Sequence, residues 1–136
     1  MLAQNFKTAD DLGIAQHEFE ALAKTLVLLE TGKLRHVPDD NAGEMVLHTE
    51  AKFNGLFNMN LWGNKTDCGT VACIGGTAQL IGRFEFREMP DALDDLFYPD
   101  SLPLTNWNRI TTSQAATALR SYLTTGDARW DLAVQL

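Results

Sequence analysis

Hydrophobic residues recur at steps of three and four from about Ala15 to Thr31. Phe19, Leu22, Ala23, Leu26 and Leu29 fall on one face, which predicts an amphipathic helix. Gly32 follows as its natural C-cap, and Lys33 and Arg35 lie where the helix dipole favours cations. Thr8 and Asp11 have capping-box spacing, so a short turn at Ala9–Leu12 precedes the long helix, with Gly13 between them. A second helix is predicted from Cys68 to Ile81, with Thr66 or Asp67 as N-cap and Val71, Ile74, Ala78 and Ile81 as its apolar stripe. A short helix from Pro90 to Phe97 would take Pro90 at N1 and turn Leu93, Leu96 and Phe97 inward. The best specified helix is the last. Thr111 is its N-cap, Gln114 closes the capping box and Gly126 is its C-cap, with Ala115, Ala116, Leu119, Tyr122 and Leu123 on the core face. Asp127 to Val134 adds a terminal turn with Trp130 packing back.

Between Leu34 and Thr66 the pattern fades. Pro38 to Gly43 reads as a loop, and Met45-Val46-Leu47 and Phe57 to Trp62 read as short strands. The fold expected is therefore a mainly α, small single helical domain over residues 1–136. Three substantial helices and short connecting ones dominate, with room for a small β-ribbon.

Composition narrows the function classes. The chain has 136 residues, 45% hydrophobic and 21% charged, with a net charge of −7. No Lys/Arg cluster offers the counterion release that coating nucleic acid requires, so no direct nucleic-acid partner is expected. The N-terminus lacks a basic region followed by an apolar run, and no stretch approaches the roughly 20 residues of a membrane span. A cytoplasmic protein with no membrane partner is expected, with Cys68 and Cys73 reduced. Asp91, Asp94, Asp95 and Asp100 concentrate negative charge, as a solvated face or a dock for a basic partner.

One stretch is dense in unusual residues: Phe57-Asn58-Met59-Asn60-Leu61-Trp62, then Asp67-Cys68-Gly69-Thr70-Val71-Ala72-Cys73-Ile74-Gly75-Gly76-Thr77-Ala78. Adjacent Gly75 and Gly76 cost a helix roughly 2 kcal/mol relative to alanine, which calls for another backbone approaching closely. One reading is structural: Cys68 and Cys73 as small buried hydrophobes, Gly69 as a sharp helix entry, Thr70 bonding first-turn amides, and Met59 or Trp62 lying flat on the glycines. The catalytic reading activates Cys68 at a helix N-terminus with His48 as base. Adjacent Asp67 opposes a thiolate, and all three histidines precede Cys68. The metal reading would use Cys68, Cys73, His36 and His48. Two helical cysteines at this spacing point about 140° apart, so neither metal nor cofactor is expected.

The motif resembles a family of small, uncharacterised bacterial and phage or mobile-element proteins. These carry Phe-x-Met-x-x-Trp, then Cys-Gly-Thr-x-x-Cys-x-x-Gly-x-Ala. Many such relatives have an aromatic residue or His where this chain has Thr77. That family carries no established activity; small size, acidity and the likeness together point to a non-enzymatic binding protein, an inhibitor or sequestering protein acting on a host defence protein or its small-molecule signal. The partner is then a protein or a small-molecule ligand, and a homo-oligomer is compatible with three helices leaving apolar surface. The expected binding residues are Asn58, Met59, Trp62, Cys68, Gly69, Thr70 and Gly76. The alternative is a cysteine-dependent hydrolase or transferase built on Cys68 and His48.

Overall fold

A computed structural model describes residues 5–38, 42–46, 50–66, 69–86 and 89–134. Helices dominate. α1 (Ala9–Leu12) has the Thr8–Asp11 capping box and ends on Gly13 in the left-handed region. α2 (Gln16–Glu30) follows, with the Ala15 N–H donating to Glu18 Oε1 at 2.8 Å. Thr31 is its C-cap, and Gly32 stands one residue beyond at φ +73, where the Lys33 N–H returns to the Leu28 carbonyl at 2.9 Å and closes the helix. Leu22, Leu26 and Leu29 of the expected face are buried, joined by Ala21 and Thr25, while Phe19 and Ala23 are half-buried.

The middle of the chain holds more β-structure than its pattern suggests. β1 (Arg35–His36), β2 (Leu56–Phe57), β3 (Asn64–Thr66) and β4 (Gly69–Ala72) form a four-stranded sheet in the order β1-β2-β4-β3. β1–β2 and β2–β4 are parallel, and β3–β4 is antiparallel. The antiparallel β3–β4 pair is a ribbon, but it lies outside both segments expected to form strands, and two further strands extend it. Met45 makes a bridge to Asn64, while Leu47 lies outside the described residues. Of the expected Phe57–Trp62 strand only Phe57 lies in a strand, β2, because the chain turns from Asn58 onward. Strands of two to four residues are too short to leave a period of two in the sequence, which is why a mainly α reading arose.

The predicted helix from Cys68 is corrected. Gly69–Ala72 is extended, with Val71 paired to both Leu56 and Asn64, and Gly69 sits at φ +127, outside any helical region. Two-sided backbone pairing overrides the weak helical stripe. α3 (Ile74–Gly82) begins six residues later with Cys73 as N-cap, and Arg83 rather than Gly82 is its left-handed C-cap. Thr66 closes β3 instead of capping a helix, its Oγ1 donating to the Gly69 carbonyl at 2.7 Å.

α4 (Asp91–Phe97) starts after Pro90, which is the N-cap rather than N1. α5 (Leu104–Trp107) is one turn. α6 (Thr112–Thr125) has the Thr111–Gln114 capping box and Gly126 at φ 86, as its sequence predicts. α7 (Trp130–Ala133) closes the described chain. α2 is the pillar on which α3 and α6 pack, with Leu22, Leu26, Ile74, Ala78, Leu119 and Tyr122 in the shared core. Trp130 is buried as expected. Its Nε1–H is shared between the carbonyls of Asp95 (3.0 Å) and Leu96 (3.2 Å), which the end of α4 leaves without helical partners. Among the described residues no helix is long and apolar enough to cross a membrane.

Candidate functional site

The dense motif folds into a seam between the end of the sheet and α3. After β2, the Asn58 N–H continues the ladder to the Ala72 carbonyl at 3.2 Å, and the Leu61 N–H turns back to the Asn58 carbonyl at 3.1 Å. The turn is fixed from inside. Asn58 is fully buried, and its Nδ2 donates to the Val37 carbonyl (2.8 Å) and to Asn108 Oδ1 (2.6 Å). Its Oδ1 accepts the Asn60 N–H at 2.8 Å. His36 Nε2 meets the Asn108 carbonyl at 2.7 Å, so β1, the turn and the residues after α5 form one polar knot. Such a knot is stabilising because every buried polar atom in it has a partner.

This turn delivers Trp62 onto α3. A Cβ on Gly75 would overlap the Trp62 indole, and one on Gly76 would overlap the Trp62 carbonyl. The glycine pair thus exists for close approach, as its helix cost implied. Cys73 supplies the helix cap. Its Sγ accepts the Gly76 N–H at 3.4 Å. Burial pushes the thiol up to about 12, outweighing the amide bonds from Gly76 and Gly75 that act in the opposite direction. It is a free cysteine that stays protonated at neutral pH.

The motif's partners are therefore mostly interior. Asn58, Met59, Thr70 and Gly76 are buried, and Trp62 and Gly69 are half-buried. Thr70 bonds no helical amide, since it lies in β4. Its N–H donates to Asn54 Oδ1 at 2.8 Å. Thr77, the departure from the resembled pattern, is buried, and among the described residues its Oγ1 has no hydrogen-bond partner. Cys68, Asp67 and His48 lie outside the described residues. Among the described residues Cys73 and His36 join no cluster of three metal-ligating groups.

The part of the seam nearest solvent is aromatic. Trp62 stacks on Tyr98 at 5.7 Å and 13°, and meets Phe97 edge-on at 5.4 Å. Tyr98 reaches Trp107 at 6.4 Å. Trp62, Tyr98 and Trp107 are all half-buried, and none of the three tryptophans is exposed. Burial first, then Cys73 and Asp94, push the Tyr98 phenol up.

Of the nearby carboxylates, Asp94 acts on the Tyr98 phenol. Oxygens of Asp94, Asp95 and Asp100 lie within 4.8 Å of one another. Asp95, Asp100, Ser101, Asp127, Arg129 and Trp130 line a cleft of about 250 Å³. Partial burial, followed by Asp94, Asp100, Asp127 and Asp91, raises the Asp95 carboxyl above its usual value. Arg129 does not neutralise the group, being paired with Asp131 at 3.0 Å. Among the described residues Asp91, Asp94, Asp95 and Asp100 have no cationic partner.

Sequence reasoning missed Asn54, Tyr98 and Asn108. Asn54 stands in an Asn-Gly dipeptide, a turn signal that marks it. Asn108 carried no local signal, because its role depends on a partner fifty positions away. No family model matches this chain, and no curated protein or solved structure is significantly similar to it. The motif resemblance therefore stands on the motif residues alone.

Proposed function

We propose that this chain is a non-enzymatic acidic binding protein, of the inhibitory or sequestering kind to which its size, acidity and motif resemblance point, and that it takes a cationic segment of a protein partner. The observation that carries this reading is the row Trp62–Tyr98–Trp107, half-buried, with its central Tyr98 under the influence of Asp94, a carboxylate without a cationic partner among the described residues. Aromatic faces attract guanidinium and ammonium groups, and a nearby carboxylate adds a directional ion pair. Trp and Tyr are also the side chains that most often anchor protein interfaces. Burial holds the Cys73 thiol protonated, which argues against a nucleophilic role for this cysteine. The hydrolase alternative names Cys68 and His48, and no described observation favours it.

The test is titration of a labelled arginine-rich peptide with the full chain at low and moderate salt. Saturable binding that weakens with salt is expected, reduced in an Asp94→Asn/Asp100→Asn double variant and in Trp107→Ala. An acidic peptide of the same length should not bind. No saturable binding at low salt, or binding indifferent to both variants, would overturn the reading.

A further inference from the structure

We infer that the Asn54–Gly55 peptide is a self-modification site at which the folded chain converts an amide to an acid, with water as the only co-reactant. Three observations converge there. First, Asn54 is exposed, and its Oδ1 already accepts the Thr70 N–H at 2.8 Å. An amide N–H fixed on a carbonyl oxygen polarises the carbon and stabilises the oxyanion that forms when that carbon is attacked. Second, the prospective nucleophile is the Gly55 backbone nitrogen, and among the described residues its N–H donates to no acceptor. Third, Gly55 has no side chain to obstruct ring closure. It already sits at φ +73, a region that glycine visits freely. Of the asparagines in the chain, only Asn54 is followed by glycine.

The step balances as follows. The Gly55 nitrogen gives up its proton to solvent and bonds to Asn54 Cγ, closing a five-membered imide. The Cγ–Nδ2 bond breaks, and the amide nitrogen takes a proton and leaves as ammonia. Water then adds to one of the two imide carbonyls and breaks one C–N bond, giving either aspartate or isoaspartate. The aspartate product keeps an acceptor for the Thr70 N–H. The isoaspartate product adds one carbon to the main chain immediately before β2, where the Gly55 carbonyl accepts the Arg35 N–H at 2.8 Å. Its formation should therefore loosen the β1–β2 pair and the Gly69–Thr70 end of β4, against which the Asn54 side chain packs.

The experiment ages the folded full-length chain at mildly alkaline pH and maps its peptides by mass spectrometry at intervals. Conversion at Asn54 is expected ahead of every other asparagine, matched by released ammonia. It should be lost in Asn54→Gln, whose longer side chain would need a six-membered ring. Circular dichroism checks that this variant folds. A parallel sample is aged in urea. If the unfolded chain converts at Asn54 while the folded chain keeps its amide, the fold protects the dipeptide instead of presenting it, and the inference falls. First conversion at any other asparagine overturns it as well.

Discussion

Two helices of this protein start with the same bond and differ in everything around it. At α6 the Thr111 hydroxyl accepts the Gln114 N–H at 3.0 Å, and the Gln114 side chain returns to the Thr111 N–H at 3.0 Å. At α3 the Cys73 thiol accepts the Gly76 N–H at 3.4 Å. The first cap is exposed and complete within four residues. The second is buried, uses sulfur, and directly follows a strand whose neighbours lie elsewhere in the chain. The difference separates a boundary written locally from one imposed by packing. The α6 start depends on Thr111 and Gln114. The α3 start depends on β2, β3 and the Trp62 main chain.

Breaking the α3 side should have the largest effect. Gly76→Ala would gain about 1 kcal/mol of helix propensity, yet the new methyl overlaps the Trp62 carbonyl, which is backbone and cannot swing aside. A net loss above about 3 kcal/mol, or failure to fold, is expected in urea denaturation. Gly75→Ala faces the indole ring instead, which can tilt, so its cost should be smaller, about 1–3 kcal/mol. If Gly76→Ala proved as stable as the parent, the close approach would not govern the α3 start.

The next effect tests the knot that places Trp62. Asn58→Ala removes three hydrogen bonds from a fully buried side chain: those its Nδ2 donates to the Val37 carbonyl and to Asn108 Oδ1, and the one its Oδ1 accepts from the Asn60 N–H. A loss of about 2–3 kcal/mol is expected, with a change in the near-ultraviolet tryptophan signal as Trp62 shifts on Tyr98. Thr111→Ala, on the other side of the comparison, should cost only about 1 kcal/mol and leave that signal unchanged. Equal costs for Asn58→Ala and Thr111→Ala would erase the distinction.

These contrasts explain which parts of the fold were legible. α1, α2 and α6 carried their signals in a few adjacent residues: Thr8 with Asp11, the Leu22–Leu26–Leu29 stripe, and Thr111 with Gln114. The glycine pair correctly announced a close approach, and Trp62 was among the residues expected there. The start of α3 was misplaced because Val71 fits a helical stripe as well as a strand, and only its pairing with Leu56 and Asn64 decides between them. The expected binding residues show a related effect. Asn58, Met59 and Gly76 were marked as unusual, and what makes them unusual is interior packing. Tyr98, which completes the aromatic row, follows α4 in a segment that reads as a plain loop.

The smallest effect carries the same contrast into electrostatics. Asp11 is perturbed locally. Backbone and side-chain hydrogen bonds from Thr8 hold its carboxyl below the usual value. A depressed carboxyl contributes stability above its unfolded-state value, and that contribution disappears as pH falls through its lower folded-state value. Asp95 is perturbed from a distance as well as locally. Partial burial acts with Asp94, Asp100, Asp127 and Asp91 to hold its carboxyl above the usual value. Here the folded state binds the proton more tightly than the unfolded one, so the charged form costs stability at neutral pH. That cost is relieved as pH falls through the raised folded-state value. Mild acidification should therefore reduce the strain around α4 before it weakens the α1 cap. Because Asp95 is exposed, solvent screening keeps the effect small: Asp95→Asn should raise stability at pH 7 by no more than about 0.5 kcal/mol. Thermal melts of the parent and Asp95→Asn across pH 4–7 should converge toward the acid end. A gap that widens on acidification would mean that the cluster is not repulsive.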